Sequence, residues 1–396
     1  MEEQLNKDIN SGTDEKAEQE VKKEEVKAPG LRMPEQDIAK GIAIILVLAL
    51  HTLTLNRGIY NALGGIFGFI MPFFFFMAGY NHRPYRYTYK EIIKKRFRQI
   101  VIPFFTYSIA ILVIAAVYYM AAQGYTIKDV LLTYLNLLLH KPFCRLVGIE
   151  VVSGGLSSCI MSFWFIQLLF VASLIFYAVV DYALEKGSRL ISITAGLLIV
   201  TMIFAHFNLY LPFYLAEAPA VAAIMLAGAF FGQKQLLSNR TKLMFIIINS
   251  IVAYALFIVL ALLFQGSGFM AGGSLWDKKI YEWAVPLSFV FAIVGTYPFV
   301  HVCRLLTRTG IVCKALVWCG NRSMILLFIH EVVQLYVCLV FNMEPFRMSI
   351  FSQVNDFRTF YILAIEIAVS VLIIILIELF KKTRAKLKAK KADNAS

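Results

Sequence analysis

A chain of 396 residues that is 59% hydrophobic and only 16% charged, with a mean hydropathy of +0.71, has too few charges to cover its apolar residues with a polar surface, which excludes a soluble globular protein. The net charge of +13 would suit nucleic-acid binding in a soluble chain, but here the basic residues fall between long apolar runs and no basic-aromatic nucleic-acid module is visible. Those runs are continuous and lack the period-two alternation of a barrel strand, so the expected fold class is all-α, a polytopic membrane helix bundle.

Residues 1–36 are rich in Glu and Lys, lack aromatic residues and carry a net charge of about −4; they read as a disordered cytoplasmic tail without a signal-peptide core. Residues 37–380 follow as one transmembrane domain. A spanning helix needs about 20 apolar residues. Ten segments qualify: 38–55, 61–80, 99–121, 160–182, 189–206, 214–232, 242–264, 281–301, 315–340 and 359–380. Alternate connections hold the basic residues: Lys90, Lys94, Lys95, Arg96 and Arg98; Lys186 and Arg189; Lys234, Arg240 and Lys242; Arg304, Arg308 and Lys314; then the polybasic tail 381–396. By the positive-inside rule both termini are cytoplasmic, and the basic tail lies against anionic lipid headgroups.

The external connection 122–159 contains "IKDVLLTYLNLLLH", too short and amphipathic to span, which is expected to lie at the interface or re-enter. It is also too small for an independent catalytic fold. "QGSGFMAGGS" (265–274) reads as a flexible external loop. No internal repeat of the inverted-repeat transporter kind is visible. The six cysteines form no C-x-x-C and no zinc spacing with histidine, so no metal is expected; a disulfide between Cys144 and Cys159 is one of the pairings left open.

Ionisable side chains within apolar runs are the candidates for function. In "DIAKGIAIILVLALH", Asp37, Lys40 and His51 share one helical stripe, with His51 about 16 Å above Lys40. Spacing alone fits two readings equally: a polar cavity around His51, or interfacial anchors at Asp37 and Lys40 beneath a structural histidine. Ser323 and His330, seven residues apart, share a face of the ninth span, with Gln334 one turn on and Glu331 turned away from Ser323. His330 reaches a depth like that of His51. Arg322 either snorkels inward or serves a substrate pocket, and Glu366 is either a functional carboxylate or part of a structural pair. Trp164 suits an interfacial belt as well as a sugar-stacking platform. His206 and Glu217 flank an external loop; His82, His140 and His301 need no role.

Six segments carry a resemblance: the first-span stretch above, "IMPFFFFMAGY" (70–80), "KKRFRQIVIP" (94–103), "FWFI" (163–166), "GAFFG" (228–232) and "GNRSMILLFIH" (320–330). In order and spacing they resemble the acyltransferase-3 family of integral-membrane acyltransferases, and within it the fucose-4-O-acetylase-like members. The resemblance implies roughly ten helices that use cytosolic acyl-CoA, acetyl-CoA in the first instance, to acylate a sugar hydroxyl at the outer face. It places Lys40 and His51 on the family's basic-residue-to-histidine motif, with Lys where Arg is usual, and Lys95 and Arg98 on its Arg-x-x-Arg pair. Ala78 stands where Ser is more common. Lysine lacks the guanidinium fork, so bidentate contacts are lost at those positions.

The resulting expectation is a membrane O-acetyltransferase of the bacterial plasma membrane. His51 acts as base or acyl relay, with Lys40, Asp37 and His330 as its catalytic partners. Lys94, Lys95, Arg96 and Arg98 hold the CoA phosphates, although positive-inside topology alone accounts for that cluster too. Trp164, Ser323 and Glu217 meet a carbohydrate or glycolipid acceptor. Some relatives append a soluble extracytoplasmic domain; without one, either the acceptor reaches His51 directly from the outer mouth, the favoured expectation, or a separate protein takes the acyl group there. The rivals are an exporter of an acyl group or polysaccharide and a sensory membrane domain. The oligomeric state is not legible.

Overall fold

The computed structural model describes residues 33–55, 68–237, 251, 255, 284–343 and 356–393. The N-terminal tail before residue 33, the 265–274 loop and all but two positions of the predicted 242–264 span lie outside the described residues. Among the described residues there is no strand, only an isolated antiparallel bridge between Thr54 and Asp356.

The first helix, α1 (Pro34–Thr52), begins with a proline whose missing N–H would have had no partner, and Glu35 and Asp37 answer the positive end of the helix dipole. After α2 (Ile70–Tyr80), a capping box between Thr88 and Glu91 starts α3 (Tyr89–Arg96). A π turn, Phe97–Val101, joins α3 to α4 (Ile102–Gln123), which stops at Gly124 in the left-handed region at φ +70°. The basic stretch 90–98 is therefore a helical extension of the third span rather than a loose connection.

The 122–159 connection folds as expected of a non-spanning segment. A second capping box, Thr126 with Asp129, starts α5 (Ile127–Leu139); α6 (Lys141–Leu146) and a 3-10 turn, Gly155–Phe163, lead into α7 (Trp164–Leu184). Then come α8 (Gly187–His206), a 3-10 turn at Pro212–Tyr214, α9 (Ala218–Gln233), α10 (Ala284–Leu305), α11 (Ile311–Asn321), α12 (Ser323–Val340) and α13 (Arg358–Asp393). Two spans differ from expectation. The stretch 315–340 is not one helix but α11 and α12, broken at Arg322 (φ −115°, ψ 11°), where Gly320 and Asn321 end α11. The last helix runs well past residue 380, to Asp393. Cys144 and Cys159 are free thiols.

Among the described residues seven helical runs are long and apolar enough to cross a bilayer, which makes this an integral membrane protein. The runs over α9 and α12 are the most buried and those over α8 and α13 the least, so the former are the centre of the bundle and the latter its lipid-facing rim.

Apolar burial cannot hold such helices together, since lipid tails are as apolar as leucine; close backbone approach has to. Two crossings achieve it. Where α2 meets α9, a Cβ on Gly79 would lie 1.9 Å from the Met225 carbonyl oxygen, and one on Gly228 2.0 Å from that of Phe76. Where α1 meets α11, a Cβ on Gly41 would lie 2.1 Å from the Leu316 oxygen, and one on Gly320 1.9 Å from that of Asp37. All four obstacles are backbone, which cannot swing aside. Gly320→Ala should therefore cost about 1–3 kcal/mol of stability and lower the thermal midpoint of the purified protein in detergent. Gly196→Ala, with nothing within 4 Å of its Cβ position, should leave the midpoint unchanged.

Candidate active site

The last turn of α1 and the second turn of α12 bring two histidines together inside the bundle. The rings of His51 and His330 have centroids 5.4 Å apart and planes tilted by 59°. His330 is fully buried, and its Nδ1 lies 2.9 Å from the Leu327 carbonyl oxygen. A carbonyl can only accept, so the Nδ1 carries the proton and the Nε2 keeps a bare lone pair. No hydrogen-bond partner reaches that Nε2.

Three elements fix His51. The helix end leaves carbonyls without an intrahelical partner, and Gln334 Nε2 donates to the His51 carbonyl at 3.1 Å. Next to it, Thr52 Oγ1 donates to Glu366 Oε2 at 2.5 Å. Two residues further, the Thr54 carbonyl accepts from Asp356 N (2.9 Å) and Thr54 N donates to Thr359 Oγ1 (3.1 Å). Glu366 is thus held by a hydroxyl from α1, not by an ion pair, while its Oε1 has no partner.

Glu331 sets the far wall. Ser162 N donates to its Oε1 and Oε2 at 3.0 and 3.2 Å, and Ser162 Oγ lies 3.1 Å from both Oε2 and the Leu327 oxygen. One nitrogen of each histidine and one oxygen of Glu331 lie within 4.8 Å of one another, a spacing able to hold a metal ion. Both Glu331 oxygens are, however, already engaged by Ser162.

The other predicted residues are spread along the bundle. Lys40 and Asp37 pair at 3.5 Å near the start of α1, Lys40 lying about 16 Å along the helix from His51. Ser323 opens α12, about 10 Å below His330 on the same helix. Arg322 is paired with Glu378 of α13 at 2.7 and 3.0 Å and lies 4.3 Å over the Trp318 ring, so it serves the fold. The four basic residues of the 94–98 stretch do not converge. Lys95 sits 4.3 Å over the Tyr87 ring, and Arg96 donates to the Tyr177 hydroxyl of α7. Of these four, Lys94 and Arg98, joined by Lys90, share one open and mostly apolar face of the 89–102 helical stretch with Tyr89, Ile93, Phe97 and Ile102.

Around the start of α7, Trp164 and Glu217 share a neighbourhood with two residues to which the sequence assigned no role, Tyr214 and His140. Trp164 and Tyr214 have ring centroids 6.3 Å apart, His140 and Tyr214 4.0 Å. His206, by contrast, is exposed and packs on Phe207. His140 Nε2 lies 3.9 Å from Glu217 Oε1. Burial pushes the His140 imidazole from 6.5 down to about 4, with a smaller opposing effect from the Leu211 backbone, so at neutral pH the ring is uncharged and the contact is not an ion pair. A neutral buried imidazole stabilises the fold fully above the unfolded value of 6.5, and that contribution is lost as pH falls through about 4. The thermal midpoint should accordingly drop across that window, and less so in His140→Gln, as read by a pH series on detergent-purified protein.

Ser162 gives a second test. Ser162→Ala leaves the backbone N–H on Glu331 but removes the hydroxyl, at a cost of about 1 kcal/mol. The protein should still fold, and reduced activity with an intact thermal transition would place the Glu331 wall in the active site.

A family model described as an acyltransferase domain, Acyl_transf_3, matches residues 34–379. Comparisons with curated proteins and with solved structures gave no match.

Proposed function

Since this chain belongs to the acyltransferase-3 family, we propose that it is a membrane O-acyltransferase that moves an acyl group, acetyl in the first instance, from cytosolic acyl-CoA to a hydroxyl of a cell-surface or lipid-linked carbohydrate. One observation carries the reading: two histidines from different helices meet inside the bundle, and the one with a fixed tautomer turns an unpartnered nitrogen to the interior.

Transfer from a thioester to an alcohol needs a base for the hydroxyl proton and an acid for the departing thiolate. His51 takes the hydroxyl proton as the acceptor oxygen attacks the thioester carbon. The tetrahedral intermediate then collapses, the C–S bond breaks, and the imidazolium returns the proton to the CoA thiolate. The new bond is the ester, and no net proton is gained or lost. The bare Nε2 of His330 steadies the His51 imidazolium or shares its proton. Lys40 and Asp37, a helix length away, act on this step only through their field at the cytoplasmic mouth. CoA phosphates are taken by Lys90, Lys94 and Arg98 together, while Lys95 and Arg96 anchor the helix that presents them.

His51→Ala should lower transfer by about 10²–10⁴-fold with normal insertion and a normal thermal transition; an ester yield near wild type would remove the base. Lys94→Gln combined with Arg98→Gln removes charge-assisted contacts of roughly 1.5–3 kcal/mol each. It should weaken acetyl-CoA binding at least about tenfold and flatten its salt dependence. Chelating divalent cations should leave the rate unchanged. A rate lost to EDTA and restored by zinc would instead make His51, His330 and Glu331 a metal site.

A further inference from the structure

Glu217 is buried to 1% exposure, and neither carboxylate oxygen has a hydrogen-bond partner. The same holds for the Nδ1 of His140, itself 3% exposed. A carboxylate withdrawn from water with nothing to accept from is among the costliest groups a fold can carry. The surrounding backbone is held in unfavourable conformations as well, with positive φ at His140 (73°), Phe213 (56°) and Tyr214 (59°), none of them glycine. Strain and unmet hydrogen bonds together are not how a purely structural contact is built. The apolar walls are aromatic: Tyr214 against His140 and, further out, the half-buried Trp164.

A flat aromatic face beside polar groups that lack partners matches a sugar ring, which offers C–H bonds on its face and hydroxyls on its edge. Glu217 accepts from hydroxyls, and the unpartnered Nδ1 of His140 offers one further hydrogen-bonding atom. The position is also right. Trp164 begins α7 two residues after Ser162, whose N–H and hydroxyl hold Glu331, the neighbour of His330. A ring lying on Trp164 is therefore one short stretch of chain from the histidine pair.

We propose that His140, Glu217, Tyr214 and Trp164 form the binding site for a neutral sugar ring of the acceptor. The site rests on the acyltransferase reading for its purpose but not for its test. The experiment uses full-length protein in nanodiscs, with methyl glycosides of common hexoses as the probe. Saturation-transfer NMR reads glycoside binding, a thermal scan reads stability, and titration reads acetyl-CoA affinity. In Glu217→Gln and Glu217→Leu, glycoside binding should fall at least tenfold, acetyl-CoA affinity should be unchanged, and the thermal midpoint should stay level or rise, because an unpaired buried carboxylate has been removed. Trp164→Ala should lose binding in the same way. A wild type that binds no glycoside of the panel overturns the site. So does undiminished binding in both Glu217 variants, or a fall in midpoint that accounts for the loss. Binding that is present and lost as expected, without ester formation from acetyl-CoA, keeps the site and overturns the acyltransferase reading. Ester formation with glycoside binding untouched in the variants does the reverse.

Discussion

The α1–α11 crossing governs the geometry of the interior. Gly41 and Gly320 let two backbones lie closer than any side chain would permit, and each glycine faces a carbonyl oxygen of the other helix. Because those oxygens belong to backbone, the axial and rotational setting of α1 has little freedom. Ten residues beyond Gly41 the same helix delivers His51, so a contact in the first half of α1 decides which way an imidazole faces near its other end. The break at Arg322 follows from this crossing: α11 is committed to α1, whereas α12 turns to carry His330 back into the bundle.

Polar groups inside the bundle fall into two kinds. Glu331 has both oxygens engaged by Ser162, and Arg322 has its guanidinium fork filled by Glu378. These are satisfied groups in a medium of low dielectric, where they stiffen the fold. The Nε2 of His330, one oxygen of Glu366 and both oxygens of Glu217 have no partner. Next to the histidine pair the two kinds meet: Glu331, held by Ser162, adjoins His330, whose Nε2 is open. Such an arrangement suits a site in which substrate, rather than protein, completes the hydrogen bonding.

The membrane fold was legible because its signal is additive: each span repeats the same apolar statement over about 20 residues. His51 and His330 were legible for the opposite reason, being isolated exceptions within such runs. Residues whose meaning depends on a partner from elsewhere in the chain were not. Ser162 sits in a 3-10 turn with no periodicity to mark it. On its own helix Glu331 points away from Ser323, and its partner, Ser162, comes from another element. The basic run misled in an instructive way. Consecutive residues on a helix are separated by about 100°, so Lys94, Lys95, Arg96 and Arg98, adjacent on paper, were dispersed around α3 and the turn that follows. His140, next to an ordinary Lys-Pro step, carried no signal until Glu217 was brought against it.

The hydrogen bond from His330 Nδ1 to the Leu327 carbonyl has a bearing on bioenergetics. With one ring nitrogen committed to its own helix, His330 can load and unload a proton only through the other. It can serve as a terminus for a proton but not as a step in a chain. In a bundle that spans a membrane, a row of two-ended imidazoles would offer protons a path down the transmembrane gradient, and a single-ended imidazole at His330 does not extend such a row.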